Sequence, residues 1–344
     1  MTTKVGSRIA ALAKAELHVH LEGSIQPAVA CELARRHGVT LAEDEVRQRY
    51  DYANFTEFIE AFKWVTSFLR QPRDFGLVAA DLAEQLLEQN VVYAEVTLSV
   101  GVMLLRKQEP QANFEAIVES TEPFEKKGLR INWIFDAVRQ FGPEPAMQVL
   151  EAAQQCQSTR IVAFGIGGDE LSVRSGEFRG VYLKAADCGL HRLIHAGEIG
   201  GPEKIREAIE LLGVERVGHG IAAIHDVALM DVLADRRIAL EICPTSNLRT
   251  GALASQLGDD AAGLAQHPMA RLIRHGVPVV LSTDDPAMFH TTLGEEYQRA
   301  QEMGLTEKEL EEVVAQGFAY SFGGKEKCGE RGSKQTRKAR EERL

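Results

Sequence analysis

The histidines and carboxylates of this chain are spaced in a way that suits metal-assisted hydrolysis. His18 and His20 alternate in Glu16-Leu17-His18-Val19-His20-Leu21-Glu22-Gly23. Residues i and i+2 of a strand share a face, so both imidazoles can address one centre. Taken alone, such a pair is more often two interior histidines satisfied by hydrogen bonds than a metal site. Three further stretches change that balance. They are Ile194-His195-Ala196-Gly197-Glu198, Val217-Gly218-His219-Gly220 and Leu281-Ser282-Thr283-Asp284-Asp285-Pro286, each closing a short apolar run. If those runs are strands that end at one mouth, four His and two adjacent Asp converge there. Three His with one carboxylate is a normal ligand set for a catalytic zinc that keeps a position for water. Burying so many ionisable groups without a metal or charge partners would be costly.

The chemistry open to such a centre is hydrolytic. Zinc lowers the pKa of a bound water from ~15.7 to about 7 and so supplies hydroxide at neutral pH. Attack on an aromatic C–NH2 carbon pushes electrons onto the neighbouring ring nitrogen, where an acid is needed. Glu198 follows His195 by three residues, so the turn after the strand can place it beside the metal. Protonation at that point contributes roughly 10²–10⁴-fold. Glu198 would also suit the start of the helix near Pro202, where acids are favoured; the catalytic role is the stronger reading. Asp285 directly follows Asp284 and can accept a hydrogen bond from the water or the substrate amine.

These residues need a scaffold that gathers strand ends. Eight β-branched-rich runs cover residues 15–21, 91–98, 130–138, 160–166, 189–195, 216–219, 238–242 and 277–283. Amphipathic segments such as 75–89, 143–155, 202–212 and 269–275 lie between them. Strands alternating with helical periodicity imply βαβ units and a parallel sheet. Eight units predict a single (β/α)8 TIM barrel, which typically takes about 250 residues plus insertions and carries its site at the C-terminal strand ends. Pro202 and Glu203 open a helix, where both types are favoured, and Gly213 closes it. A helical insertion is predicted after the first strand. Over 35–73, the spacing of Phe55, Phe58, Phe62, Trp64 and Phe68 indicates helices laid over the barrel mouth, most of these rings serving as core.

Together, His-Val-His-Leu-Glu-Gly-Ser-Ile, His-Ala-Gly-Glu, Val-Gly-His-Gly, Glu-Ile-Cys-Pro-Thr-Ser-Asn and Ser-Thr-Asp-Asp-Pro resemble the adenosine deaminase family. The resemblance runs from about Lys14 to Phe322, with the motifs in the family's order. It implies the same barrel and one zinc ion per chain, with His18, His20, His195 and Asp284 as ligands. Glu198 matches the acid that protonates the ring nitrogen. His219 and Asp285 match the pair that orients and deprotonates the attacking water. Gly168 matches the glycine whose backbone N–H holds the purine, and His20, Glu22 and Asp285 also match substrate contacts. Where many adenosine-specific members carry Asp, this chain has Glu22, as adenine-specific members do. Those, however, have Asp where this chain has Gly218, and a different run over 241–247. The implied activity is hydrolytic deamination of adenosine or a related adenine nucleoside. Aminodeoxyfutalosine and adenine are alternative substrates, Glu22 and Arg106 motivating the first. A catalytically silent metal-binding barrel that serves as a ligand-binding protein is the non-enzymatic alternative.

Composition narrows the partners. A net charge of −11 argues against a polyanion-binding surface, so nucleic acid is not expected. Five cysteines without CxxC spacing suit reduced thiols, and the nucleobase deaminases marked by P-C-x-x-C are excluded. Cys243 reads as a core thiol with Ser246 and Asn247 stabilising its loop, and His225, His267, His275 and His290 read as surface or supporting residues. Residues 1–14 carry no apolar signal segment and no run approaches a membrane span, so a cytoplasmic location is expected, with oligomeric state open. The barrel domain is assigned to 1–322. Residues 323–344, with eight Lys or Arg and four Glu, are expected to be a disordered basic tail.

Overall fold

The computed structural model describes residues 7–52 and 54–323. Eight strands form: β1 Lys14–His20, β2 Val91–Leu98, β3 Arg130–Val138, β4 Ile161–Gly167, β5 His191–Ala196, β6 Arg216–His219, β7 Ala239–Ile242 and β8 Val279–Leu281. Each pairs in parallel with the next in chain order. A single bridge, Val19 to Asp284, returns the sheet to β1. The expected (β/α)8 barrel is thereby formed.

Four strands, β4, β5, β7 and β8, begin one or two residues later than the apolar runs, the last three for a common reason. Gly189, Arg237 and Gly276 take φ of +76°, +54° and +97°. The next residue's N–H then reaches back into the helix, from Leu190 to Ala185, Ile238 to Leu233 and Val277 to Leu272. A left-handed helix stop uses up the first apolar residues of the run before the strand can start.

The insertion after β1 consists of the helices Pro27–Arg36, Glu43–Arg49 and Phe55–Thr66, with Pro72–Glu88 leading to β2. The Asn54 side chain caps Phe55–Thr66 by accepting the Glu57 N–H at 3.0 Å. Phe58 and Phe68 are buried, whereas Phe55, Phe62 and Trp64 are half-buried against the core. Phe58 stacks on Phe289 with centroids 5.1 Å apart, and the Tyr52 hydroxyl donates to the Met288 carbonyl at 3.0 Å. Arg249 donates to the Tyr50 carbonyl at 3.0 Å. The insertion is therefore fastened to the segments after β7 and β8, over the mouth. No helix among the described residues is long and apolar enough to cross a membrane. The tail expected at 323–344 lies, from residue 324 onward, outside the described residues.

The barrel interior carries a buried polar column. Arg216 meets Glu95 at 2.7 Å and Glu241 at 2.5 Å. Tyr93 donates to Glu95 at 2.5 Å and accepts from Asn132 at 3.0 Å. Its upper end is Glu241, which reaches the candidate site.

Candidate active site

The C-terminal strand ends bring the expected residues together. Ligating atoms of His18, His195, His219 and Asp284 lie within 4.8 Å of one another. His20 joins them through Nε2, 3.3 Å from Asp284 Oδ1. Barrel closure itself sets this geometry, because the His20 N–H donates to the Asp284 carbonyl at 2.8 Å and the Asp284 N–H donates to the His18 carbonyl at 2.9 Å. Asp284 and His219 both take left-handed φ, +67° and +59°. Such non-glycine conformations cost of order 1–3 kcal/mol each and cluster at functional sites.

The donor set suits a metal. His18 Nδ1–H donates to Glu241 Oε2 at 2.7 Å, which leaves its Nε2 bare, and that atom is buried without a hydrogen-bond partner among the described residues. Nδ1 of His195 is buried and unpartnered in the same sense. Burial alone would raise the Asp284 carboxyl, but the imidazoles of His18 and His20, whose Nε2 atoms stand 3.5 and 3.3 Å from its Oδ1, hold it well below the usual carboxylate range. The Ser246 hydroxyl donates to its Oδ2 at 2.6 Å. An ionised carboxylate among imidazoles with unpaired ring nitrogens fits a nitrogen- and oxygen-ligated cation such as zinc.

Beside the cluster, Glu198 is set up to hold a proton. Burial, then the charges of Asp284 and Glu170, pushes its carboxyl well above the ordinary value. Its Oε2 stands 3.6 Å from His219 Nε2. The loop that carries it is pinned by Glu170, which accepts the N–H groups of Glu198, Ile199 and Gly200 at 3.1, 3.3 and 2.7 Å. Gln256 donates to the carbonyls of Glu198 and Gly200 at 2.9 and 2.8 Å. Asp285 is pushed up to about 8 by burial and by the neighbouring Asp284 charge. Its position requires a glycine at 23, where an added Cβ would fall 1.7 Å from Asp285 Oδ1.

A family model described as adenosine deaminase matches residues 13–330. The chain belongs to the adenosine deaminase family. It is 36% identical over 321 residues to an aminodeoxyfutalosine deaminase of Streptomyces coelicolor, covering 91% of this chain and 81% of that protein. It is 33% identical over 317 residues to an adenosine deaminase of Vibrio cholerae, covering 89% and 92%. Among solved structures, adenine deaminase from Arthrobacter aurescens superposes with a TM-score of 0.84 at 26% identity, covering 91% and 94%. As a member of this deaminase family, the chain is a hydrolase acting on C–N bonds.

Around the deaminase centre, the remaining expected residues take these positions. Glu22 is buried, accepts the Ser99 N–H at 3.0 Å through Oε1, and has no partner on Oε2 among the described residues. Gly168 takes φ +95°, and an added Cβ would meet Gln140 Oε1 at 2.5 Å. Arg106 donates to the carbonyl and hydroxyl of Thr66 at 2.5 and 2.9 Å. Cys243 is buried, as a core thiol should be. Glu241 and Glu170 carry no assigned role in the sequence pattern, and Asn247 and His267 carry only a supporting one. A signal for Glu241 was present: a carboxylate inside the apolar strand Ala-Leu-Glu-Ile must have a partner, since a lone buried charge is too costly.

Proposed function

We propose that this chain hydrolytically deaminates an adenine nucleoside, adenosine or 2′-deoxyadenosine, to the inosine-type product and ammonia. The observation that carries the reading is a carboxyl that burial pushes well above its ordinary value, Glu198, 3.6 Å from His219 in a buried His and Asp cluster that could hold a metal ion. His18, His20, His195 and Asp284 would hold one zinc ion. When bound, zinc would lower the pKa of water enough to supply hydroxide at neutral pH. Asp285 and His219 orient the attacking water, and Asp285 takes up its proton. The water oxygen bonds to the ring carbon bearing the amine, while Glu198 gives its proton to the adjacent ring nitrogen. As that adduct collapses, the proton held by Asp285 passes to the amine, which leaves as ammonia, and the hydroxyl gives its proton back to Glu198 as the carbonyl forms. The Gly168 N–H holds the purine, and Glu22 faces the ribose side.

A nucleoside extended at its 5′ position, such as aminodeoxyfutalosine, is the second reading, favoured by the 36% identity to the Streptomyces coelicolor protein. Arg106 supports it less, because its guanidinium already serves Thr66. Free adenine is disfavoured. Adenine-type members place Asp at position 218, where an added Cβ would lie 2.9 Å from His18 Cε1 and press on the cluster. A silent binding protein would have no use for both Glu198 and Asp285. The deciding experiment follows deamination by ultraviolet absorbance with zinc-loaded protein and adenine, adenosine, deoxyadenosine, methylthioadenosine and aminodeoxyfutalosine. The expected result is highest kcat/KM on adenosine or deoxyadenosine. Preference for a 5′-extended substrate would replace the first reading with the second, and no turnover of any would remove both.

A further inference from the structure

Behind His219 stand two residues with no part in the chemistry proposed above, Asn247 and His267, both buried. His267 lies just before the helix Met269–His275, and the Met269 backbone N–H donates to its Nδ1 at 3.2 Å. A backbone N–H can only donate, so Nδ1 accepts and the proton of a neutral ring sits on Nε2. Burial pushes this imidazole down to about 3, which keeps it neutral near physiological pH. Nε2 stands 3.3 Å from Asn247 Oδ1. With Nε2 donating, the side-chain amide must present its oxygen there, so its orientation follows from a partner and not from convention. The amide nitrogen then faces His219 Nδ1 at 3.1 Å and donates to it. We infer that Met269 N–H, His267 and Asn247 form a hydrogen-bond relay that fixes His219 as the tautomer with bare Nδ1 and protonated Nε2.

The consequence lies at the centre. His219 Nε2 is 3.6 Å from Glu198 Oε2 and 3.8 Å from Asp284 Oδ2, both beyond hydrogen-bond length. In this tautomer Nε2 offers an N–H and no lone pair. His219 therefore belongs to the geometric cluster without being a metal ligand, and the fourth ligand position falls to His20. In the deamination, a consequence that rests on the function proposed above, the His219 N–H donates to the attacking oxygen. The proton released by the water then passes to the Asp285 carboxylate. Asn247 and His267 are positioning residues that act through His219.

The test reads the tautomer directly. Zinc-loaded protein labelled with 15N-histidine is studied by long-range 1H–15N correlation, and the His219 signal is identified by its loss in His219→Gln. The expected pattern is bare Nδ1 and protonated Nε2. A protonated Nδ1 in the unmodified protein overturns the relay, whatever the variants do. Asn247→Asp places an acceptor at both ends of the link, so it should move the His219 proton to Nδ1. Loss of the correct protonation state should lower kcat about 10²-fold, with KM and zinc content little changed. His267→Gln keeps an acceptor for Met269 and a donor for Asn247 and should retain activity, whereas His267→Phe should not. An unchanged tautomer and kcat in Asn247→Asp refutes the proposal. Absence of turnover in the unmodified protein would refute the functional reading alone, because the tautomer is measured without substrate.

Discussion

At the scale of single residues, the site depends on two carboxyls with opposed environments. The imidazoles of His18 and His20 hold Asp284 well below the usual carboxylate range, while burial and the charges of Asp284 and Glu170 push Glu198 well above it. Titratable groups pushed apart in this way take different roles, the raised one suited to donate a proton and the lowered one suited to hold a cation. Glu198→Gln keeps the shape and removes the transferable proton. It should lower kcat by roughly 10²–10⁴-fold and leave zinc bound. The check is kcat alongside metal content by elemental analysis, and near-normal turnover would end the proton-donor role. His18, His20 and His195 were legible because each lies on a strand, where alternation fixes the direction of the side chain, and Glu198 and Asp284 because each follows a strand end by two or three residues. Glu241, Glu170 and the Asn247–His267 link were not. Each acts across elements that only the closed barrel makes neighbours: Glu170 reaches the 198–200 loop and Asn247 bridges two histidines from separate segments.

Among the elements, the loop after β5 shows how position and proton affinity are set by one side chain. The Glu170 carboxylate accepts three consecutive N–H groups, those of Glu198, Ile199 and Gly200, and its charge also raises the Glu198 carboxyl. In Glu170→Gln an amide NH2 would face backbone donors, and an unsatisfied buried N–H costs about 1–3 kcal/mol. The loop should loosen, and misplacement of a catalytic group by ~1 Å can cost about 10²-fold. The pH profile should move as well. In the proposed mechanism Glu198 works protonated, so activity should fall as pH rises through its pKa; without the Glu170 charge that pKa should drop, and the alkaline limb should shift to lower pH. A variant that loses kcat with an unmoved alkaline limb would confine Glu170 to a purely mechanical role. Element positions were readable from periodicity, but the starts of β5, β7 and β8 were not. There the preceding helix extends through a left-handed stop at Gly189, Arg237 or Gly276, and the apolar pattern alone does not reveal which element claims those residues.

For the whole molecule, the decisive feature is where the barrel closes. Neighbouring strands pair through several residues, but among the described residues the segment just after β8 returns to β1 through a single bridge, Val19 to Asp284. The proposed ligands straddle that seam, His18 and His20 on β1 and Asp284 just past β8, with His195 across the barrel on β5. A metal bound by these side chains would tie the seam shut and offset the repulsion and desolvation of the groups gathered there. Binding to the folded state alone stabilises by about 2.7 kcal/mol when free metal exceeds Kd about 100-fold. Each kcal/mol shifts Tm by roughly 2–4 °C in domains of 150–250 residues and by less in larger ones. Removing zinc with a chelator should therefore lower Tm by several degrees, and zinc added back should restore it. Hydrogen exchange should speed up most at the amides of His20 and Asp284, whose bonds form the seam. If the metal-free protein melts at the same temperature and those amides stay protected, the closure does not depend on the metal, and the ligand set must be sought among side chains that do not span β1 and β8.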